Sequence, residues 1–167
     1  MNTKKLISET IAFVRRTLEN AEGGHDWFHT QRVYHNSVLI SKSETVDPLV
    51  VALGALLHDI ADSKFHDGDE SVGPKLAREF LFKQDVDSVV IEHVIKIIEN
   101  ISFKGGNNPQ EFHSLELDVI QDADRLDAIG AIGIARCFNY GGYKNRKLFD
   151  PSISPKMDMT KAQYKSS

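Results

Sequence analysis

Seven histidines and fourteen aspartates supply most of the chemistry this 167-residue chain can perform. Chance pairing, 7 × 14 / 167, gives about 0.6 His-Asp steps, the baseline for weighing such a motif. Three occur: His25-Asp26, His58-Asp59 and His66-Asp67. Context separates them. His58-Asp59 follows VVALGALL, the most apolar stretch in the chain, where a buried charge is costly unless it is paired or bound to a metal. His66-Asp67 precedes Gly68 in a polar segment and reads as turn chemistry. His29 lies one helical turn after His25 in HDWFHTQRV and shares a face with Val33, so it points toward the core. Asp122, Asp124 and Asp127 crowd six residues, DADRLD, too densely for a solvated face in apolar surroundings. Asp122 and Leu126 share a face, and Asp124 lies beside it. Two histidines, one aspartate from an adjacent His-Asp pair and one aspartate from the distant DADRLD helix make a four-ligand set. Imidazole and carboxylate ligands suit Mn, Fe, Co, Ni, Zn or Mg. Positions left open for water and substrate oxygens make such a site catalytic.

Helices must position these groups. Ile7, Ile11, Val14 and Leu18 recur at helical spacing and predict a first helix over Thr3–Asn20. A second is expected from Asp26 to about Ser43. Asp47-Pro48, a cap followed by proline in the first turn, starts a third that runs to about Ala61. That third helix is apolar on nearly every face and should be central. Further helices are expected over Pro74–Lys83 and Ser88–Glu99, the second rich in Val and Ile but charged at Glu92, Lys96 and Glu99. The last is one long helix from Ser114 toward Asn139. Its buried stripe is expected at Leu126, Ile129 and Ile132, with close packing at Gly130 and Gly133 and a stop at Gly141 and Gly142. No segment alternates with period two. The fold expected is all-α, a bundle of about five to seven helices, with residues 1–149 as one domain and 150–167 as a loosely ordered tail.

Composition limits the functions available. Twenty Lys and Arg against 24 Asp and Glu give a net charge of −4, a poor match to a nucleic-acid polymer. Cys137 is the single cysteine, which excludes an internal disulfide and a cysteine zinc cage. The N-terminus lacks the apolar core of a signal peptide, and no apolar run approaches the ~18 residues of a membrane span. A cytoplasmic protein with a small-molecule partner and no membrane or disulfide partner is expected; a homodimer is compatible with these features.

The order H…HD…D, in the settings HDWFHTQRV, ALLHDIAD and QDADRLDAIG, resembles the HD-domain superfamily of metal-dependent phosphohydrolases over about His25–Tyr143. The full motifs resemble more closely the bacterial YpgQ/YedJ-like subgroup, which is associated with pyrophosphohydrolysis of nucleoside triphosphates. The resemblance implies one divalent metal, with Mn or Mg preferred, held by His29, His58, Asp59 and Asp124. It favours Asp124 over Asp122 because Asp124 precedes Arg125-Leu126. It further implies Asp62 as the group that orients the attacking water, Lys64 and Arg32 as phosphate contacts, and His25 and His93 as proton donors or groups behind the ligands. The expected reaction is hydrolysis of a (deoxy)nucleoside triphosphate to monophosphate and pyrophosphate. The alternatives are a 5′-nucleotide phosphomonoesterase, a phosphodiesterase, or a catalytically silent metal- or nucleotide-binding module. The resemblance also implies helices beyond the segment matching Asp150–Ser167.

Overall fold

The computed structural model describes residues 2–21, 24–61, 66, 69–102 and 112–154. Among them are seven α-helices and no strand: α1 (Thr3–Thr17), α2 (Trp27–Ile40), α3 (Pro48–Leu57), α4 (Val72–Lys83), α5 (Ser88–Asn100), α6 (Leu115–Leu126) and α7 (Gly130–Tyr143). A single 3₁₀ turn, Ser41–Ser43, extends α2. None of these helices is long and apolar enough to cross a membrane.

Side-chain caps start most of the helices. Asp26 accepts from the His29 amide, Asp47 from the amides of Leu49 and Val50, Asp87 from Val89 and Ser114 from Leu117. Each satisfies an amide that the first helical turn cannot. The Asp26 cap bears directly on the site, because it sets the first turn of α2, where His29 sits.

The central element is α3. Val50 to Leu57 are all buried, and α1, α2, α5 and α6 pack around them. An all-apolar helix has no solvent face to offer, so its position is dictated by burial. Gly54 permits the close approach of α6: a Cβ there would lie 2.7 Å from the Ile120 Cδ1. α2 packs on both α3 and α6, and α5 backs α3 and α4. The three elements carrying His29, His58-Asp59 and the DADRLD run are thus mutual neighbours.

The expected long helix from Ser114 is two helices. α6 ends at Leu126, the chain turns through Asp127–Ile129, and α7 leaves in a new direction. Gly130 enters the left-handed region at φ +64°, which costs it little because it has no Cβ. The Asp127 side chain is bonded to groups on α2 and α7, described below, which pins the corner. The stripe expected at Leu126, Ile129 and Ile132 is correspondingly 47, 61 and 41% exposed. On α7 only Gly133 is buried. A Cβ on Gly133 would sit 2.3 Å from the Ala128 carbonyl, a backbone clash that only movement of the corner could relieve. Gly133→Ala should therefore cost about 1–3 kcal/mol, as overpacking does, read as a lower urea midpoint; the solvent-facing Gly141→Ala should cost nothing.

The helix also runs through Gly141 and Gly142 rather than stopping there. It ends at Tyr143, where the Asn145 amide donates to the Gly142 carbonyl and the Arg146 amide to Gly141, with Asn145 at φ +53°. This is a Schellman ending with asparagine in the left-handed position. The other bounds shift by a few residues: α1 and α3 end before Asn20 and Ala61, and α4 begins at Val72. Of the expected tail, residues 155–167 lie outside the described residues.

Candidate metal centre

Two histidine rings meet where α2 and α3 converge. His29, in the first turn of α2, is 1% exposed, and His58, which caps the C-terminus of α3, is 7% exposed. Their centroids are 5.4 Å apart at an interplanar angle of 69°. The hydrogen bonds of each ring define its tautomer. His58 Nδ1 donates to the Ala55 carbonyl at 2.9 Å, and His29 Nδ1 donates to Asp127 Oδ2 at 2.7 Å. Both rings therefore present an Nε2 lone pair.

His58 Nε2 is buried and makes no hydrogen bond. A buried polar atom without a partner loses its hydration for nothing, typically ~1–3 kcal/mol. His29 Nε2 lies 3.8 Å from Asp59 Oδ2 and 3.5 Å from Asp124 Oδ1. One donor atom from each of His29, His58 and Asp59 lies within 4.8 Å of the other two. Ligand bonds of about 2.0–2.2 Å set neighbouring donors roughly 3–4 Å apart. The donor set, two imidazoles and two carboxylates around the unpartnered His58 Nε2, fits a divalent cation, and His29, His58, Asp59 and Asp124 are the residues that would hold it. Asp122 is placed differently: its side chain is 68% exposed, ion-paired with Arg125 at 3.9 Å, and lines an open groove with Ile40 and Leu126.

Behind His29 lies a carboxylate that sequence reasoning left unassigned. Asp127 is 3% exposed. It accepts from His29 Nδ1, from Arg32 Nε at 2.6 Å and Nη2 at 3.0 Å, and from Arg136 Nη1 at 3.0 Å. Arg136 also donates to the carbonyls of Gly24 and Asp127, tying α7 to the segment that leads into α2. Burial alone would raise the Asp127 pKa; the hydrogen bonds from His29 and Arg32 outweigh it and hold the carboxyl well below the ordinary carboxylate range. The only advance signal for Asp127 was its place as the third aspartate of DADRLD. Nothing in the sequence pointed to Arg136.

The other expected site residues separate. Arg32 was expected to contact phosphate, but its guanidinium forks onto Asp127, because a bidentate carboxylate partner lies within its reach. His93 does not reach this centre. Its Nε2 lies 2.9 Å from Ser114 Oγ and 3.5 Å from Glu116 Oε2, and its ring packs edge-on against Phe112. Ser114 caps α6 ten residues before Asp124, roughly 15 Å along the helix. His25 borders the cluster, with its ring 6.2 Å from His29 and 6.1 Å from Tyr140. Asp62 and Lys64 lie outside the described residues.

Burial, the largest influence, lowers the His29 pKa despite its bond to Asp127. A lowered folded pKa stabilises the fold above the unfolded value and is lost as pH falls. In metal-free protein, stability should therefore fall as pH drops below the ordinary histidine value of 6.5, where the unfolded chain takes up a proton that folded His29 resists. Urea midpoints at pH 7.5, 6.5 and 5.5 test this, and His29→Gln should flatten the dependence.

The chain is similar to proteins of one family in sequence and in fold. The HD domain family model matches residues 27–129. The protein YpgQ of Bacillus subtilis is 35% identical over 154 residues, covering 89% of this chain and 73% of its own length. Its crystal structure in complex with ADP superposes with a TM-score of 0.70 at 34% identity, over 91% of this chain and 73% of that one. A Lactobacillus plantarum crystal structure has a TM-score of 0.83 at 34% identity, covering 99% and 76%. An HD-superfamily hydrolase from Bacillus thuringiensis has a TM-score of 0.71 at 39% identity, covering 92% and 74%.

Proposed function

The chain belongs to the HD domain family of metal-dependent phosphohydrolases, and from that premise we propose that it hydrolyses (deoxy)nucleoside triphosphates to monophosphate and pyrophosphate. One observation carries the site assignment: the buried, unpartnered Nε2 of His58 faces the same space as the His29 Nε2, with Asp59 and Asp124 beside it. YpgQ, a relative at 35% identity, has been crystallised with ADP, which supports a nucleotide as the substrate.

A divalent cation at these four ligands, with Mn or Mg preferred, supplies Lewis acidity toward a phosphoryl oxygen and acidity to a water molecule. The chain's own groups do the rest. Asp127 holds the Nδ1 proton of His29, so Nε2 stays unprotonated and correctly aimed. The Ala55 carbonyl does the same for His58. Asp62 accepts a proton from the attacking water, and Lys64 neutralises charge developing on the phosphoryl oxygens. Under this reading His25, whose ring lies 6.2 Å from that of His29, serves the leaving group as proton donor. Residues 1–149 form the catalytic domain under this reading, and the enzyme works in the cytoplasm.

A panel of nucleoside mono-, di- and triphosphates, each with Mn, Mg, Co, Ni and Zn, tests the proposal by product. Pyrophosphate and monophosphate in equal amounts are the expected result. Orthophosphate alone identifies a phosphomonoesterase. Tight nucleotide binding with no turnover under any metal identifies a silent binding module. Chelation with EDTA should abolish turnover, and added cation should restore it.

A further inference from the structure

We propose that the C-terminal end of α7 is the subsite for the nucleoside part of a phosphorylated ligand, with Tyr140 and Tyr143 as the stacking surface and Lys144 and Arg146 as the anion contacts. The proposal takes the location of the cleaved phosphate from the phosphohydrolase reading of the metal centre.

Three observations place the subsite. The first is continuity. The rings of His58, His29, His25 and Tyr140 follow one another at centroid spacings of 5.4, 6.2 and 6.1 Å, leading from the metal centre to the end of α7. Tyr143 stacks on Tyr140 at 6.5 Å and is 58% exposed. The second is charge. From Ala128 to Phe149 the chain carries Arg136, Lys144, Arg146 and Lys147 and no carboxylate, in a protein whose net charge is −4. Lys144 Nζ lies 5.8 Å above the Tyr140 ring and 5.5 Å above that of Tyr143, and the Arg146 guanidinium lies 5.4 Å from Tyr140. Among the described residues no carboxylate is in ion-pair reach of Lys144. The third is rigidity. The Schellman ending turns the backbone at Asn145 and brings Arg146 back over the helix end, so its position is set by two backbone hydrogen bonds.

Tyrosine faces with cations held against them suit a ligand that joins a planar ring to phosphate. Stacking accepts the base with little preference for its identity, and the cations accept its charge. Cations at a helix C-terminus also complement the helix dipole, and that role alone would stabilise the fold without binding anything.

Calorimetric titration with ADP, and with inorganic pyrophosphate as the probe without a base, separates the two roles in manganese-containing buffer. Tyr143→Ala and Lys144→Gln alter exposed side chains, and circular dichroism checks that both variants fold. ADP affinity should fall roughly tenfold in each, the scale of one stacking or charged contact. Pyrophosphate affinity should fall in Lys144→Gln and be unaffected by Tyr143→Ala. ADP binding within about twofold of the unmodified chain in both variants overturns the subsite, as does an unmodified chain that binds no ADP. The outcome is distinct from that of the hydrolysis panel. Turnover with unaffected variants keeps the phosphohydrolase and discards the subsite; affected variants of a chain without turnover do the reverse.

Discussion

Asp127→Ala will lower the stability of the folded chain by roughly 2–4 kcal/mol, somewhat under the 3–5 kcal/mol of a fully buried broken pair. The substitution removes the acceptor shared by His29, Arg32 and Arg136 and leaves their donors facing each other. Arg136, whose side chain is 17% exposed, cannot readily reach water; Arg32, at 36%, partly can, which is why the smaller figure applies. The loss should appear in the urea midpoint with an unchanged slope. A second effect is independent of stability. Without Asp127, nothing fixes the His29 tautomer, and metal affinity should fall by about 10–100-fold, the usual cost of losing the group behind a ligating histidine. Asp127→Asn keeps the shape and one acceptor but not the charge, so it should fall between the two. Stability within about 0.5 kcal/mol of the unmodified chain, the range of an ordinary surface substitution, would show that the corner holds without this carboxylate.

Asp59→Ala should act in the opposite way, abolishing function while sparing the fold. Asp59 lies in the turn after α3, and its carboxylate is 3.8 Å from the His29 ring. The apolar interior of α3 ends before it, at Leu57. Removing one of two anions that face one imidazole costs little in metal-free protein, and the urea midpoint should move by less than about 1 kcal/mol. Metal binding and phosphohydrolysis should both drop below detection, because the donor set loses the one carboxylate among the described residues that lies within 4.8 Å of both histidines. Retained metal binding, read by calorimetry, would remove Asp59 from the ligand set whatever the activity showed.

These two variants mark the boundary between what the chain reveals in one dimension and what it does not. The apolar run from Pro48 to Leu57 could only be a buried centre, and Asp47-Pro48 could only be its start; local chemistry dictated both. His29 facing inward with Val33 followed from helical periodicity, and both are buried. The long helix from Ser114 failed for the same local reason: Leu126, Ile129 and Ile132 keep helical spacing through a corner, and spacing cannot report a change of direction. The corner exists because Asp127 finds Arg32, 95 residues away, and Arg136 on the far side of the turn.

By itself, then, the sequence determined the helices from α1 to α5, the central place of α3 and the residue types from which a metal centre could be assembled, since periodicity, capping and burial act between neighbours in the chain. The tertiary structure alone decided that Arg32 grips a carboxylate and that His93 lies at the other end of α6. Each of those outcomes depends on how helices cross, and the reach of a charged side chain to its partner is set by that crossing rather than by distance along the chain.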